Sequence, residues 1–328
     1  MKSPFTGGNV TFQQEETTLT FRKEEFTYTH LSYRCEDTGE QFTTTELDEI
    51  NIGQVYNQYR VKYGIPFPDE IKQIRQKYGL SASKMSEILG FGNNQYRLYE
   101  NGDMPSEGNG KILSSIKDAN FFYTFVQNTR NQFTAEEINK IERKIQAIPT
   151  NKDREEKERL IFNYSRSVYN GYAAQSYSKL KNILLYFIEK LHGVFNTKMN
   201  KLLFYTDFLS YKRYGRGITG LQYHAIQFGP VPERWDRIYA LMDDIEPEIV
   251  HFANPDICGT KLQSTLSPDT SCFSPEEQSI LDQVLENFRN DNVSSISNKS
   301  HQEDAWIQNN QNKGLINYNT AFTLHAFD

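Results

Sequence analysis

The chain has 328 residues, 37% hydrophobic and 24% charged, with 36 basic against 42 acidic side chains and a formal charge of −6. At roughly 150 residues per domain, that length predicts about two domains with room for a small third module, and excludes a mini-protein held only by staples. The acidic balance excludes a chain that coats nucleic acid regardless of sequence, so any DNA contact must be local.

Cys35, Cys258 and Cys272 are scattered along the chain, which is no disulfide framework and fits a reducing compartment. The start, Met1 to Thr6, has no apolar core of a secretion signal, and no stretch approaches the roughly 18 apolar residues of a membrane span. The expectation is a cytoplasmic protein with no membrane partner.

From Val10 to Cys35, β-branched and aromatic residues alternate with period two: Leu19 with Phe21, Phe26 with Tyr28, then Leu31, Tyr33 and Cys35. This predicts a small antiparallel sheet with one wet face, too small to be stable alone. Zinc staples many modules of this size, but only Cys35 remains as a thiolate where paired cysteines would sit, at Ser3 to Gly8 and Cys35 to Gly39. The expectation is a metal-free relic knuckle. Leu47, Ile50, Val55 and Tyr59 predict a helix that ends at Gly64, before Pro66 and Pro68 break the chain.

Ile71, Ile74 and Tyr78 predict the next helix, stopped at Gly79. Ser81 caps another, with Met85, Ile88 and Leu89 inward before Gly90. Asn93 is placed to cap a third helix through Tyr96 and Tyr99, and Pro105-Ser106 starts a fourth. Short helices joined by a glycine-containing turn form a helix-turn-helix. Tyr78-Gly79-Leu80-Ser81, Met85 to Gly92, Tyr96 to Gly102 and Pro105-Ser106, in that order, resemble an Xre-type helix-turn-helix. With the relic knuckle and the lead-in from Tyr56 to Pro68, residues 1–120 resemble the MqsA-type antitoxin layout.

In such a motif Asn and Gln pair with adenine and Arg with guanine from a helix start. Asn93, Asn94, Gln95 and Arg97 occupy that place, with Lys84 as a further DNA-binding candidate, although Asn93 could equally serve only as a cap. Residues 69–117 hold seven basic against six acidic side chains, so phosphate contacts per monomer are few and a homodimer on two half-sites is expected.

Residues 121–176 include Lys152 to Arg159, four basic and four acidic side chains that predict a solvated helical connector with i,i+4 pairs or, in a functional reading, a docking surface. Beyond, Leu180 to Leu191 and Met199 to Phe208 keep helical spacing, Gln222 to Phe228 reads as a strand broken at Gly229-Pro230-Val231-Pro232, and Ser274-Pro275-Glu276-Glu277 is a capping box. Lys201 to Phe208, Gly217 to Tyr223, Gly229 to Pro232 and a late Ser300-His301 with Trp306 resemble a Panacea domain over residues 177–312. That resemblance implies a helical toxin-neutralising domain, related to an adaptor that delivers a toxin to a protease. Its candidate toxin contacts are Tyr205, Phe208, Tyr223, His301 and Trp306. For each, ordinary packing is the competing reading, and for His301 a place at a helix start.

No phosphate-binding loop, no histidine pair at i,i+4 and no serine elbow occurs, so no catalytic residue, metal or cofactor is expected. The expected fold is mainly α with a small N-terminal β module. Its divisions are 1–65 (β module), 66–120 (helix-turn-helix), 121–176 (connector) and 177–328 (Panacea-like domain). The expected function is an antitoxin that binds its cognate protein toxin and its own operator DNA. The alternatives are a transcription regulator sensing something other than a toxin, or an adaptor delivering a partner to a protease.

Overall fold

The alternating residues near the start form a β-hairpin in the computed structural model, which describes residues 1–148, 152–252 and 258–327. Strands β1 (Val10–Phe21) and β2 (Glu24–Cys35) pair antiparallel through a two-residue turn, Arg22-Lys23, with both φ positive at 50° and 71°. That conformation matches the strand twist. A short β3 (Gln41–Phe42) pairs with β2 only at Tyr33 and Arg34. Further along that edge, Leu31 and Thr29 are satisfied by helix α1 (Thr45–Tyr63). Asn51 bonds the amide and carbonyl of Leu31 at 2.8 and 2.9 Å, and Gln54 those of Thr29 at 3.0 and 2.8 Å. Two side-chain amides three residues apart thus stand in for a strand.

Contacts divide the chain into two compact units, Met1–Gln54 with Lys152–Asp328, and Val55–Asn151. The sequence-based division instead falls at residues 65, 120 and 176. In the first unit the start of α1 touches the far half of the chain, where a Cβ on Gly215 would lie 3.4 Å from Ile50, and Asn319 bonds Thr29 at 3.4 Å.

The Val55–Asn151 unit holds the end of α1 and six further helices: α2 (Pro68–Lys77), α3 (Ala82–Leu89), α4 (Gln95–Glu100), α5 (Glu107–Ser115), α6 (Ala119–Asn128) and α7 (Ala135–Gln146). One apolar core joins Ile71, Met85, Ile88 and Leu113 to Phe122, Val126, Ile138 and Ile141. Residues 121–146, expected in the connector, are therefore integral to this bundle, because the inward stripe of α6 and α7 completes its core.

In the other unit, α8 (Lys152–Ile161) carries the expected i,i+4 pairs, Asp153 with Lys157 at 3.0 Å and Arg154 with Glu158 at 3.6 Å. Then follow α9 (Tyr177–Leu191), β4 (Val194–Phe195), α10 (Asn196–Tyr214), β5 (Tyr223–Ile226) and β6 (Gly229–Pro232). After them come α11 (Trp235–Ala240), β7 (Glu246–His251), β8 (Cys258–Gln263), α12 (Pro275–Phe288), α13 (Val293–Ser300) and α14 (Asp304–Ile307). One sheet runs β4-β8-β7 and another is the β5-β6 hairpin.

Gly229 to Pro232, read from sequence as a break, is a strand: Pro230 turns its carbonyl to the Lys201 ammonium, so the side on which it lacks an N–H donor also faces away from β5. Every residue of α10 from Lys198 to Tyr211 is buried, polar ones included, making it the axle of the domain. The predicted capping box opens α12, with Glu277 N donating to Ser274 Oγ at 3.2 Å and Ser274 N to Glu277 Oε2 at 3.0 Å.

Candidate functional site

In the Val55–Asn151 unit, α3 starts on Ser81, whose hydroxyl accepts from Lys84 N at 3.1 Å, and ends at Gly90 in the left-handed region. A turn, Phe91 to Asn94, leads into α4. The N-cap of α4 is Asn94, left-handed at φ 61°, whose own side chain makes no cap hydrogen bond; Asn93 is not the N-cap. Behind α4, Tyr96 N donates to Ser86 Oγ at 3.1 Å, Tyr96 Oη to the Ile71 carbonyl at 2.8 Å, and Arg75 pairs with Glu100 at 2.5 Å. With Tyr96 and Tyr99 drawn inward, Asn93, Asn94 and Arg97 are exposed and Gln95 is half-buried. Lys84 does not join them. Its ammonium pairs with Glu87 at 2.9 Å and Glu137 at 3.2 Å over the Phe133 ring.

In the larger unit the polar centre is Asp207 on α10. Its carboxylate accepts from Ile218 N (2.7 Å), Thr219 N (2.8 Å), the Thr219 hydroxyl and Tyr223 Oη (2.7 Å). Burial pushes its pKa up while these donors pull it down. The result fixes the loop between α10 and β5.

Two turns N-terminal, Lys201 is fully buried and donates to the Pro230 carbonyl at 2.7 Å. Desolvation lowers its pKa to about 7. Gly229 beside it sits at φ 95°, where a Cβ would come within 2.4 Å of Ser300 Oγ and 2.7 Å of Lys201 Cε. His301 closes α13 rather than opening a helix. Its ring lies 4.2 Å from that of Trp306, and its buried Nε2 has no partner. Burial lowers the His301 pKa, the nearby Lys201 charge adds to this, and a backbone hydrogen bond with Gln227 opposes it. Trp306 Nε1 donates to the Ile226 carbonyl at 2.7 Å. Glu303 is buried and faces elsewhere, accepting from Tyr205 Oη (3.2 Å), His325 N (2.8 Å) and Ala326 N (3.1 Å). Its pKa is raised by burial.

The five residues expected at a toxin interface thus separate. Tyr205, Phe208 and Tyr223 are core, with Tyr205 stacked on Phe288 at 4.3 Å and Phe208 against Tyr318 at 4.6 Å. His301 and Trp306 are half-buried beneath the β5-β6 hairpin. Lys201, Asp207 and Glu303 hold this architecture but were not singled out. The available signal was charge inside an apolar helical run: Lys201 and Asp207 flank Leu202, Leu203 and Phe204 in a helix that could not leave them in water.

Beside the N-terminal hairpin, Cys35 is buried with Thr6 Oγ1 at 3.6 Å, and hydrogen bonds from Ser3 and Thr38, then Thr6, lower its pKa to about 6 against desolvation. Among the described residues no group of three or more His, Cys, Asp or Glu is arranged to hold a metal ion, and no helix is long and apolar enough to cross a membrane.

Residues 199–307, which span α10 to α14, match the family described as antitoxin SocA-like, Panacea domain. No curated protein and no solved structure matches the chain.

Proposed function

We propose that the chain is the antitoxin of a toxin-antitoxin pair, neutralising a protein toxin by direct binding through the domain that contains α10 to α14. The match of residues 199–307 to an antitoxin domain family carries this reading. The site chemistry agrees with it. The oxygens of Asp207 are taken up by four donors, Lys201 is committed to a backbone carbonyl and the His301 Nε2 has no hydrogen-bond partner. These groups shape a surface, and the mode of action is occlusion rather than a reaction.

The second part of the proposal is autoregulation. Residues 55–151 carry 13 basic and 10 acidic side chains, a charge of +3, while the rest of the chain has 23 and 32, or −9. The α3-α4 segment in this basic unit would read operator DNA with Asn93, Asn94 and Arg97, and Gln95 at the margin, as a homodimer on an inverted repeat. The experiment is co-expression with the product of each reading frame adjoining this one that arrests growth when expressed alone. Restored growth is expected, and continued arrest with the antitoxin well expressed would overturn the reading.

A further inference from the structure

The groups that brace the β5-β6 hairpin are buried or half-buried, but the tip they hold up is exposed. We propose that Phe228, at the hairpin tip, is the aromatic anchor by which this domain enters an apolar pocket on its partner protein. The proposal rests on the antitoxin reading and names its contact.

Phe228 is 63% exposed, in a turn between the paired residues Ile226 and Gly229. A large apolar side chain in water is ordinary by itself. This one stands on a turn whose flanking residues are fixed from below. Trp306 holds the Ile226 carbonyl, Ser300 and Lys201 leave no room for a Cβ on Gly229, and Lys201 holds the Pro230 carbonyl.

That support is bought with a buried lysine that has one acceptor and a buried imidazole nitrogen that has none, each a stability cost. Local costs of this kind cluster where function needs a fixed shape. A pre-ordered aromatic loses little freedom on binding, as an interface anchor requires.

The surroundings point to a protein surface. Residues 217–232 contain no Asp, Glu, Lys or Arg, nor do residues 305–312, although charged residues make up 24% of the chain. The two stretches meet where α14 packs on β5 and β6. Ile307 of α14 is 51% exposed, and Gln302 and Gln308 nearby are exposed uncharged amides. An aromatic centre with an uncharged polar rim suits the core of a protein interface and has nothing to offer a polyanion or an anionic membrane.

The test uses the full chain, co-expressed with the growth-arresting product of an adjoining reading frame and titrated against that purified protein by calorimetry. Phe228→Asp should abolish growth rescue, and Phe228→Ala should weaken binding at least ~30-fold, the range of an interface hot spot. Both should leave the thermal midpoint within about 2 °C of wild type, because the side chain lies outside the core. Ile249→Asp, at a site on β7 that is 65% exposed, should rescue growth normally. If wild type rescues and Phe228→Asp rescues equally, with affinity within about threefold, the anchor assignment is wrong. If wild type itself fails, the antitoxin reading fails first and takes the anchor with it.

Discussion

Lys201 carries a liability that can be measured apart from any partner. Its folded pKa of about 7 lies below the ordinary lysine value of about 10.4, so between those pH values the unfolded chain binds the extra proton. Stability must then rise as pH increases through that window and level off below about pH 7, the sign set by a base whose folded pKa is depressed. Lys201→Met should reduce this slope between pH 7 and 9, leaving the part of the same sign that the depressed Cys35 thiol contributes, as read by urea denaturation at each pH. An unchanged slope would show that the ammonium is hydrated in the native state. At this scale the sequence is ambiguous in a definite way. The spacing of Tyr205 and Phe208 identifies an apolar stripe but cannot say whether protein or partner covers it, and here α12 and Tyr318 do.

Among the elements, the sharpest sequence signals were local hydrogen-bond chemistry. Ser81 and the Ser274 capping box start helices where their side chains predict, because a cap is settled within four residues. Asn93 illustrates the limit. Two asparagines follow Gly92, both able to cap and to take the left-handed region, and only tertiary packing of Tyr96 against Ser86 and Ile71 places the helix start at Asn94.

That geometry shapes the DNA test. Asn94→Gly keeps the positive φ while removing the amide, whereas alanine would add backbone strain. Asn94→Gly and Arg97→Ala should each cost about 1–3 kcal/mol of specific affinity for the chain's own promoter region, with helicity unchanged. Binding of the double variant at wild-type affinity, measured by fluorescence anisotropy at fixed salt, would remove α4 as the reader.

For the whole molecule, the sequence shows element types well and their grouping poorly. The hairpin and the start of α1 share a compact unit with residues 152–328, far along the chain, because Asn51 and Gln54 seal β2 while Ile50 and Thr29 meet Gly215 and Asn319. No periodicity encodes such a closure. The charge asymmetry between residues 55–151 and the remainder was also present in the sequence, but it becomes visible only when counted over the compact units. Neutralisation by direct binding is distinguished from delivery to a protease by co-expressing the full chain with the toxin while following growth, toxin abundance and the size of the purified species. Growth should return with toxin abundance unchanged and both proteins eluting as one stable complex. Restored growth with falling toxin abundance and no complex, or no restoration at all, would contradict the account.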